Sequence, residues 1–345
     1  MTKLLLMRTK LSGFILGAAM ALGAVSVQAE TLTIASPGVA LHFYPFYVAE
    51  AAGYFKAEGI DIDWVDVGSG SKQIAAVAGG SAEYAVVGMQ AAISARENGA
   101  DLVSIAALFN AYPIQLVLSN AALEKTGIDP SMGIDEKVDR LKGLNIAVTG
   151  IGSTTDVLLR SWLKVRGVDP EAAVTIQPLG NPGAMYAAFE QGQVDGFMLG
   201  PPFTQRAELD GLGKTAIEPL DGGIPELVNV PYTAIVTNER TVADKPELVQ
   251  KSVNALAKAM KLTKDDPEKV QALLKSYFPD MPDDVYKSFE AKFRANAATS
   301  PVMTKQAYDN LIKWIAITSD TPPTVPYEGF VITTFAQKAD DQILK

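Results

Sequence analysis

The chain of 345 residues contains no cysteine and a single histidine, His42. Without cysteine there is no disulfide, no thiolate metal site and no cysteine nucleophile. One histidine cannot build a histidine-based metal site, and a Ser-His-Asp hydrolase would need it as the general base. The G-x-S-x-G motif that presents a hydrolase serine is also absent. We therefore predict no catalytic residue, no bound metal and no cofactor.

Complete nucleotide-binding motifs are missing as well. Gly213-Lys214-Thr215 resembles the end of a phosphate loop, but Glu208 stands where the first glycine of that motif belongs. Gly150 and Gly152 precede a predicted helix, as in a dinucleotide fingerprint, but Thr155 occupies the position of the third glycine. A nucleotide cofactor is therefore not expected.

Basic residues are too few to balance the acidic ones. The sequence has 30 Lys and Arg against 39 Asp and Glu, a net charge of −9. This excess of negative charge argues against binding to nucleic acid or to anionic membranes. Beyond the first 29 residues, no apolar stretch is long enough to span a membrane, so we expect no direct membrane insertion of the mature chain.

The first 29 residues have the pattern of a cleavable export signal. Lys3, Arg8 and Lys10 precede an apolar run over residues 11–25, and Val27-Gln28-Ala29 matches a cleavage site. The run is shorter than the roughly 18–20 residues of a membrane span, which argues against an anchor. The mature chain would keep 345 − 29 = 316 residues with a charge of −9 − 3 = −12. Export without cysteine favours a bacterial periplasm.

A segment of 21 residues occurs twice in the chain. Residues 68–88 read GSGSKQIAAVAGGSAEYAVVG, and residues 180–200 read GNPGAMYAAFEQGQVDGFMLG, a separation of 180 − 68 = 112 positions. Each copy predicts a Gly-rich loop, an apolar helix and a short strand that ends in glycine. Because this period is too long for a solenoid, it indicates two similar α/β lobes. A cleft between two lobes is a favoured place for a small ligand.

The order of predicted strands and helices favours two doubly wound, mostly parallel lobes. Strands are predicted at residues 31–35, 60–67, 102–108, 144–148 and 174–178, and helices at 46–58 and 155–165. Residues 112–119 and 229–238 are predicted to cross between the lobes. Lobe 1 would comprise residues 30–115 and 235–345, and lobe 2 residues 116–234. Helices predicted after Pro246, at 248–262, 267–277, 284–297 and 304–316, would pack on lobe 1.

Two glycine-rich loops are the strongest candidates for ligand contact. In lobe 2, Ser153, Thr154 and Thr155 open a helix whose free N–H groups and dipole could hold an anion, although such residues are also common helix caps. Ser69 and Gly70 occupy the matching loop of lobe 1. Ligands of open α/β sheets bind at the carboxyl ends of strands, where both loops lie.

Further candidates follow the other strands. The aromatic rings of Phe43 and Tyr44, next to His42, could stack on a flat ligand or fix a helix to the sheet. Met89, Gln90, Gly200 and Pro201 follow equivalent strand ends in the two lobes. Tyr232, in a crossing, could face the cleft or support the hinge. Arg96, Arg160 and Arg206 are possible charge partners, and the sequence does not choose among them.

Three segments resemble periplasmic solute-binding proteins of ABC importers: FYVAEAAGYFKAEGIDIDWV, the repeat copy at 68–88, and LKGLNIAVTGIGSTTDVLLRSWL. The branch is the one for nitrate, sulfonate and taurine, which also includes binders of thiamine-pyrimidine precursors. The resemblance covers residues 31–246. It implies the type II-like periplasmic-binding-protein fold, in which two hinge strands join the lobes. It also implies a monomer whose partners are a membrane permease and its ATPase.

The same resemblance implies ligand contacts from three loops. These are His42, Phe43 and Tyr44; Ser69 and Gly70; and Ser153, Thr154 and Thr155. A related fungal pyrimidine synthase shares the fold but depends on a Cys-rich motif and histidine, and this chain has no cysteine.

Together, these features predict a periplasmic receptor rather than an enzyme. Its ligand would be a small organic anion, a sulfonate or an aromatic or aliphatic carboxylate, enclosed by hinge closure. A neutral heterocycle such as a pyrimidine vitamin precursor is the alternative ligand. The alternative functions are those of an enzyme with the same fold and of a ligand-loaded partner for a membrane sensor.

Overall fold

Two five-stranded sheets organise the chain in the computed structural model, which describes residues 29–38, 43–129, 131–220, 224–227, 230–279, 281–318 and 321–345. The strands are, in chain order, β1 (Glu30–Ser36), β2 (Ile60–Asp66), β3 (Tyr84–Gly88), β4 (Val103–Phe109), β5 (Gln115–Ser119), β6 (Asn145–Val148), β7 (Thr175–Pro178), β8 (Gly196–Leu199), β9 (Gly213–Ile217) and β10 (Thr233–Thr237). The first sheet has the order β2-β1-β3-β10-β4 and the second β7-β6-β8-β5-β9. The predicted pair of α/β lobes is confirmed.

Helices connect the strands and cover the sheets. They are α1 (Tyr44–Ala51), α2 (Tyr54–Ala57), α3 (Gly70–Ala78), α4 (Met89–Glu97), α5 (Asn120–Thr126), α6 (Ile134–Asp139), α7 (Thr154–Val165), α8 (Pro170–Ala173), α9 (Pro182–Glu190), α10 (Phe203–Leu209), α11 (Glu239–Asp244), α12 (Pro246–Asp265), α13 (Pro267–Leu274), α14 (Asp283–Asn296), α15 (Lys305–Thr318), α16 (Tyr327–Phe330) and α17 (Thr334–Ala339). The single helix predicted over 46–58 is instead two, because Gly53 has a φ of +73° and ends the first one.

The two crossings each supply an antiparallel strand to the middle of a sheet. β10 lies between β3 and β4, where Thr233 is opposite both Gly88 and Phe109. β5 lies between β8 and β9 and is antiparallel to both. The sheets are therefore mixed, with one antiparallel strand each. The predicted lobe boundaries, at 115/116 and 234/235, fall inside β5 and β10, and the division of the chain at those points stays a prediction.

The apolar core lies on both faces of three strands of the first sheet, including the edge strand β4. Every residue of β3, β4 and β10 is buried, as expected for strands covered by helices on both sides. β2, by contrast, is an edge strand with several exposed side chains. The C-terminal helices pack mainly on the first lobe, as predicted, but α15 also contacts α7 of the second lobe.

The duplication extends to individual hydrogen bonds. The Glu83 carboxylate accepts a hydrogen bond from the Thr33 N–H at 3.0 Å, and the Asp195 carboxylate accepts one from the Asn145 N–H at 2.8 Å. The two pairs are related by the period of the sequence repeat, since 145 − 33 and 195 − 83 both equal 112. An acidic side chain thus ties β1 to the turn before β3 in the first lobe, and another ties β6 to the turn before β8 in the second.

The N-terminal export signal predicted over 1–29 lies outside the described residues except for Ala29. Among the residues that the structure describes, no helix has both the length and the apolar character to cross a bilayer.

Candidate ligand-binding site

A cavity of about 60 Å³ lies between the two lobes, at the carboxyl ends of their strands. Both lobes and both crossings contribute to its wall. The lining residues are Pro37, Gly70, Gln73, Val86, Val87, Gly88, Ile114, Thr149, Ser153, Thr154, Thr155, Pro182, Leu199, Gly200, Pro201, Phe203 and Tyr232. None of them carries a formal charge at neutral pH. The cavity therefore lies where the repeat predicted a cleft.

Four helices of eight or more residues begin at this cavity. α3 begins at Gly70, α4 follows Gly88, α7 begins at Thr154 and α9 begins at Pro182. The first N–H groups of a helix have no partner within it, and the helix dipole places positive potential at the same end. Because none of the described residues that line the cavity is acidic, these four helix ends attract an anion without any basic residue.

Three buried hydroxyl groups form a cluster at the start of α7. The Thr149 hydroxyl donates to Ser153 Oγ at 2.9 Å, Ser153 Oγ lies 2.9 Å from Thr155 Oγ1, and Thr149 Oγ1 lies 3.0 Å from Thr155 Oγ1. Ser153 is the N-cap residue, yet its side chain makes no capping hydrogen bond. The interpretation of this hydroxyl as an ordinary helix cap therefore fails. Hydroxyl protons rotate freely, so the cluster can turn a donor toward a ligand.

The matching loop of the first lobe has a different role. Ser69 accepts a hydrogen bond from the Lys72 N–H at 3.4 Å and so caps α3. This loop faces the Gly-rich loop of the second lobe, since a Cβ built on Gly150 would lie 3.1 Å from Ser71 Oγ and 3.4 Å from Ser69 Oγ. Gly70 lines the cavity itself. Glycine at position 150 thus lets the two loops approach closely.

The aromatic residues after β1 are not brought to the cavity. Phe43 and Tyr44 are fully buried in the first lobe, and neither is among the lining residues. The Tyr44 hydroxyl donates to Glu290 at 2.8 Å, and burial followed by the charge of Glu290 raises its pKa well above the ordinary range. His42 lies outside the described residues. Ligand contact by these three residues stays a prediction.

Met89 and Gln90 also lie beside the cavity rather than on its wall. Met89 is buried, and its N–H donates to the Tyr232 carbonyl at 2.8 Å. The Gln90 amide donates to Ser161 of α7 at 3.4 Å and accepts from the Trp314 indole at 3.1 Å. Gln90 therefore joins helices of both lobes.

The remaining predicted residues do line the cavity. Gly200 and Pro201 follow β8, as expected, and Tyr232 precedes β10. Burial raises the pKa of the Tyr232 hydroxyl well above its ordinary value, so this residue is neutral at physiological pH. Arg96, Arg160 and Arg206 each form an ion pair with a nearby carboxylate, and none of them lines the cavity.

Sequence reasoning missed several lining residues. Thr149 had a usable signal, because it directly follows β6 at the ligand-binding edge of the sheet. Gln73 donates to the Ala35 carbonyl at 2.7 Å from the second turn of α3, a position without a sequence signal. Ile114, Leu199 and Phe203 provide apolar walls. Among the residues that the structure describes, no group of three or more His, Cys, Asp or Glu could hold a metal.

Comparisons with known proteins agree with this architecture. Residues 37–309 match the model of the NMT1-like family. The protein YtlA of Bacillus subtilis is 22% identical over 323 residues, covering 91% of this chain and 92% of YtlA. The riboflavin-binding protein RibY of Chloroflexus aurantiacus is 25% identical over 243 residues, covering 70% of this chain and 64% of RibY.

The structure of the alkanesulfonate-binding protein SsuA of Xanthomonas axonopodis pv. citri, bound to MOPS, superposes with a TM-score of 0.68 at 19% identity, over 88% of this chain and 98% of SsuA. This likeness confirms the periplasmic-binding-protein fold that the sequence predicted. The chain belongs to the NMT1-like family.

Proposed function

We propose that this protein is the periplasmic substrate-binding component of an ABC importer and captures a small organic anion, a sulfonate or a carboxylate. The observation that carries the proposal is the composition of the cavity between the lobes. Four helix N-termini and a cluster of three hydroxyls meet there, and none of the described lining residues is acidic. The buried Asp156, in the first turn of α7, is paired with Arg160. Such a wall stabilises negative charge through hydrogen bonds and dipoles.

The two ends of the ligand would meet different parts of the wall. The acid group would accept hydrogen bonds from the hydroxyl cluster of Thr149, Ser153 and Thr155 and from the first N–H groups of α7. The carbon part would lie against the apolar side chains of Ile114 and Leu199. The sulfonate- and riboflavin-binding relatives support a role in binding small molecules.

Hinge closure would complete the site. Residues of both lobes line the cavity, so a ligand touches all of them only when the lobes are together. A ligand shifts such an equilibrium by its greater affinity for the closed form. The closed, loaded protein would then present its ligand to a membrane permease, which an ATPase drives.

An uncharged heterocycle is the second candidate ligand. None of the described lining residues carries a charged side chain, which favours this ligand, and so does the likeness to a riboflavin-binding protein. An enzymatic role has less support, because Tyr232 is the one titratable residue among the described lining residues and its raised pKa keeps it neutral.

A calorimetric and thermal-shift screen of the mature chain tests the proposal. The probes are methanesulfonate, benzoate and uncharged uracil. A bound ligand at about 100 times its dissociation constant should add about 2.7 kcal/mol to the free energy of unfolding. Binding of an acid, recovered chemically unchanged afterwards, is the expected result. Binding of uracil alone favours the heterocycle, and conversion of any probe favours an enzyme.

A further inference from the structure

A second cavity, of about 470 Å³, adjoins the first across a single side chain. Phe203, at the start of α10, lines both cavities, and the preceding prolines divide between them: Pro201 faces the small cavity and Pro202 the large one. The opposite wall of the large cavity comes from the first lobe, in the segment that follows α13. The large cavity is therefore also a space between the lobes.

The wall of the large cavity is mainly apolar and aromatic. Tyr277, Phe278 and Met281 line it from the first lobe, and Phe203 and Leu209 from the second. The Tyr277 ring stacks on Tyr47 with centroids 4.5 Å apart, and its hydroxyl donates to Glu50 at 3.1 Å. This aromatic surface is thus held rigidly before any ligand arrives.

Among the described residues that line the large cavity, the charged side chains are one pair. Arg206 and Asp210 lie 3.4 Å apart on neighbouring turns of α10. The guanidinium carbon of Arg206 lies 5.0 Å from the centre of the Tyr186 ring, so this cation is already engaged. The aromatic side chains of the first-lobe wall lie outside this pair, and an apolar group can pack against them.

The sizes of the two cavities are complementary. Pockets for ligands of drug-like size usually have volumes of about 300–1,000 Å³. The small cavity, at about 60 Å³, falls below this range, and the large one, at about 470 Å³, falls within it. The small cavity, which holds the helix N-termini and borders the hydroxyl cluster, has room for an acid group, whereas the carbon body of an organic acid needs the space beyond Phe203.

We propose that the two cavities form one extended site, and that the substrate is an elongated amphipathic acid. Its acid head would occupy the hydroxyl-lined cavity, and its aromatic or long alkyl tail would pass Phe203 and lie against Tyr277 and Phe278. The inference rests on the proposed function and narrows its substrate class from small organic anions to acids with an extended apolar tail.

A homologous series of sulfonates measures the contribution of the tail. The probes are methanesulfonate, butanesulfonate, octanesulfonate and 2-naphthalenesulfonate, titrated calorimetrically into the mature chain. Burial of one methylene contributes about 0.8 kcal/mol, which is about a fourfold gain in affinity. We expect octanesulfonate and 2-naphthalenesulfonate to bind at least about tenfold more tightly than methanesulfonate.

Two variants test whether the ligand's tail lies in the large cavity. Met281→Asp and Leu209→Asp each put a carboxylate on the wall of that cavity alone; Leu209 is 52% exposed, so its replacement should not disturb folding. Both should abolish the gain for octanesulfonate and leave methanesulfonate affinity within about twofold. Val65→Asp is the matched control, because Val65 is an exposed apolar residue outside both cavities.

The outcomes separate this inference from the proposed function. If methanesulfonate binds and a longer tail adds nothing, or if the gain survives in both variants, the extended site is wrong while anion capture stands. If no acid of any tail length binds, the proposed function fails, and the extended site with it.

Discussion

Gly88 at the end of β3 lies directly against Thr154 in the first turn of α7, across the space between the lobes. A Cβ built on Gly88 would lie 2.1 Å from Thr154 Oγ1, far inside contact distance. The backbone of Gly88, with φ −64° and ψ 131°, is one that any residue adopts. Glycine is therefore required at this position by the neighbour from the other lobe, and only when the lobes are together.

Gly88→Ala should accordingly impair closure rather than folding. We expect at least about a tenfold loss of ligand affinity, equivalent to about 1.4 kcal/mol, because the closed form is sterically opposed. X-ray scattering with saturating ligand should show a smaller contraction than in the unaltered chain. Gly133→Ala is the control, since a Cβ at Gly133 meets no atom within 4 Å.

A second substitution in the same contact tests its cause. In Gly88→Ala with Thr154→Ala, the clash at 2.1 Å is removed and the closest Thr154 atom to the new Cβ is its own Cβ at 3.0 Å. Part of the lost affinity should return, so the two changes should not be additive. Strict additivity would show that the contact does not limit closure.

Thr149→Val tests the hydroxyl cluster with a side chain of the same shape. The Thr149 hydroxyl bonds to both Ser153 and Thr155, so the change removes two of the three hydrogen bonds between hydroxyls in the cluster. A hydrogen bond to a charged group contributes about 1.5–3 kcal/mol, so calorimetry should report about a 10- to 100-fold weaker affinity for methanesulfonate. Uracil affinity should fall less. Thr263→Val on α12 is the control, and equal losses for both probes would contradict the assignment.

The fold was largely predictable because its signals are local. The repeat and the strand patterns predicted two similar lobes, and strand ends agree with the structure within about two residues, as at β6 and β7. The one broken helix, at Gly53, depended on a glycine with positive φ that the apolar spacing concealed. Periodicity reports which face is buried but not where a backbone reverses.

The site was less predictable because its walls come from distant parts of the chain. The loops at Gly70 and Ser153 could be found from glycine and hydroxyl motifs. Tyr44 had an equally suggestive position, but its partner Glu290 lies 246 residues away, so its burial had no local signal. The large cavity likewise joins α10 to the segment after α13. Such contacts depend on tertiary packing.

Ligand affinity should be nearly independent of pH. None of the described residues that line the small cavity is a carboxylate, lysine, arginine or histidine, and burial raises the pKa of Tyr232 well above its ordinary value. Methanesulfonate is a strong acid and keeps its charge. Between about pH 5 and about 9, its dissociation constant should therefore change by less than about twofold. A change of tenfold or more would reveal a titrating residue at the ligand, for which His42, outside the described residues, is the candidate.

The free energy of unfolding of the first lobe should, in contrast, depend on pH and fall in acid. Burial alone would raise the pKa of Glu83, but hydrogen bonds from Lys245 and the Thr33 N–H outweigh it and lower the pKa below 4.5. The carboxylate of Glu83 therefore binds a proton more readily in the unfolded chain than in the folded one. The contribution of Glu83 is complete well above pH 4.5 and is lost as pH falls through the lowered pKa.

Glu83→Gln should therefore lower the free energy of unfolding at pH 7 by about 1–2 kcal/mol and flatten its decrease in acid. Lys245→Met, which removes one partner and keeps the Thr33 hydrogen bond, should have an intermediate effect. Urea unfolding at pH 7, 5 and 4 measures both. An unchanged acid dependence in Glu83→Gln would show that other groups control it.

Because each crossing contributes a strand to a sheet, the crossings set the order in which the two sheets receive all their strands during synthesis. All five strands of the second sheet have been made once residue 217 is in place, but the first sheet lacks β10 until residue 237. Until then β3 and β4, its neighbours, each keep an open edge able to pair with other chains. The lobe that starts first is completed last, and a nascent chain must be shielded from aggregation through that interval.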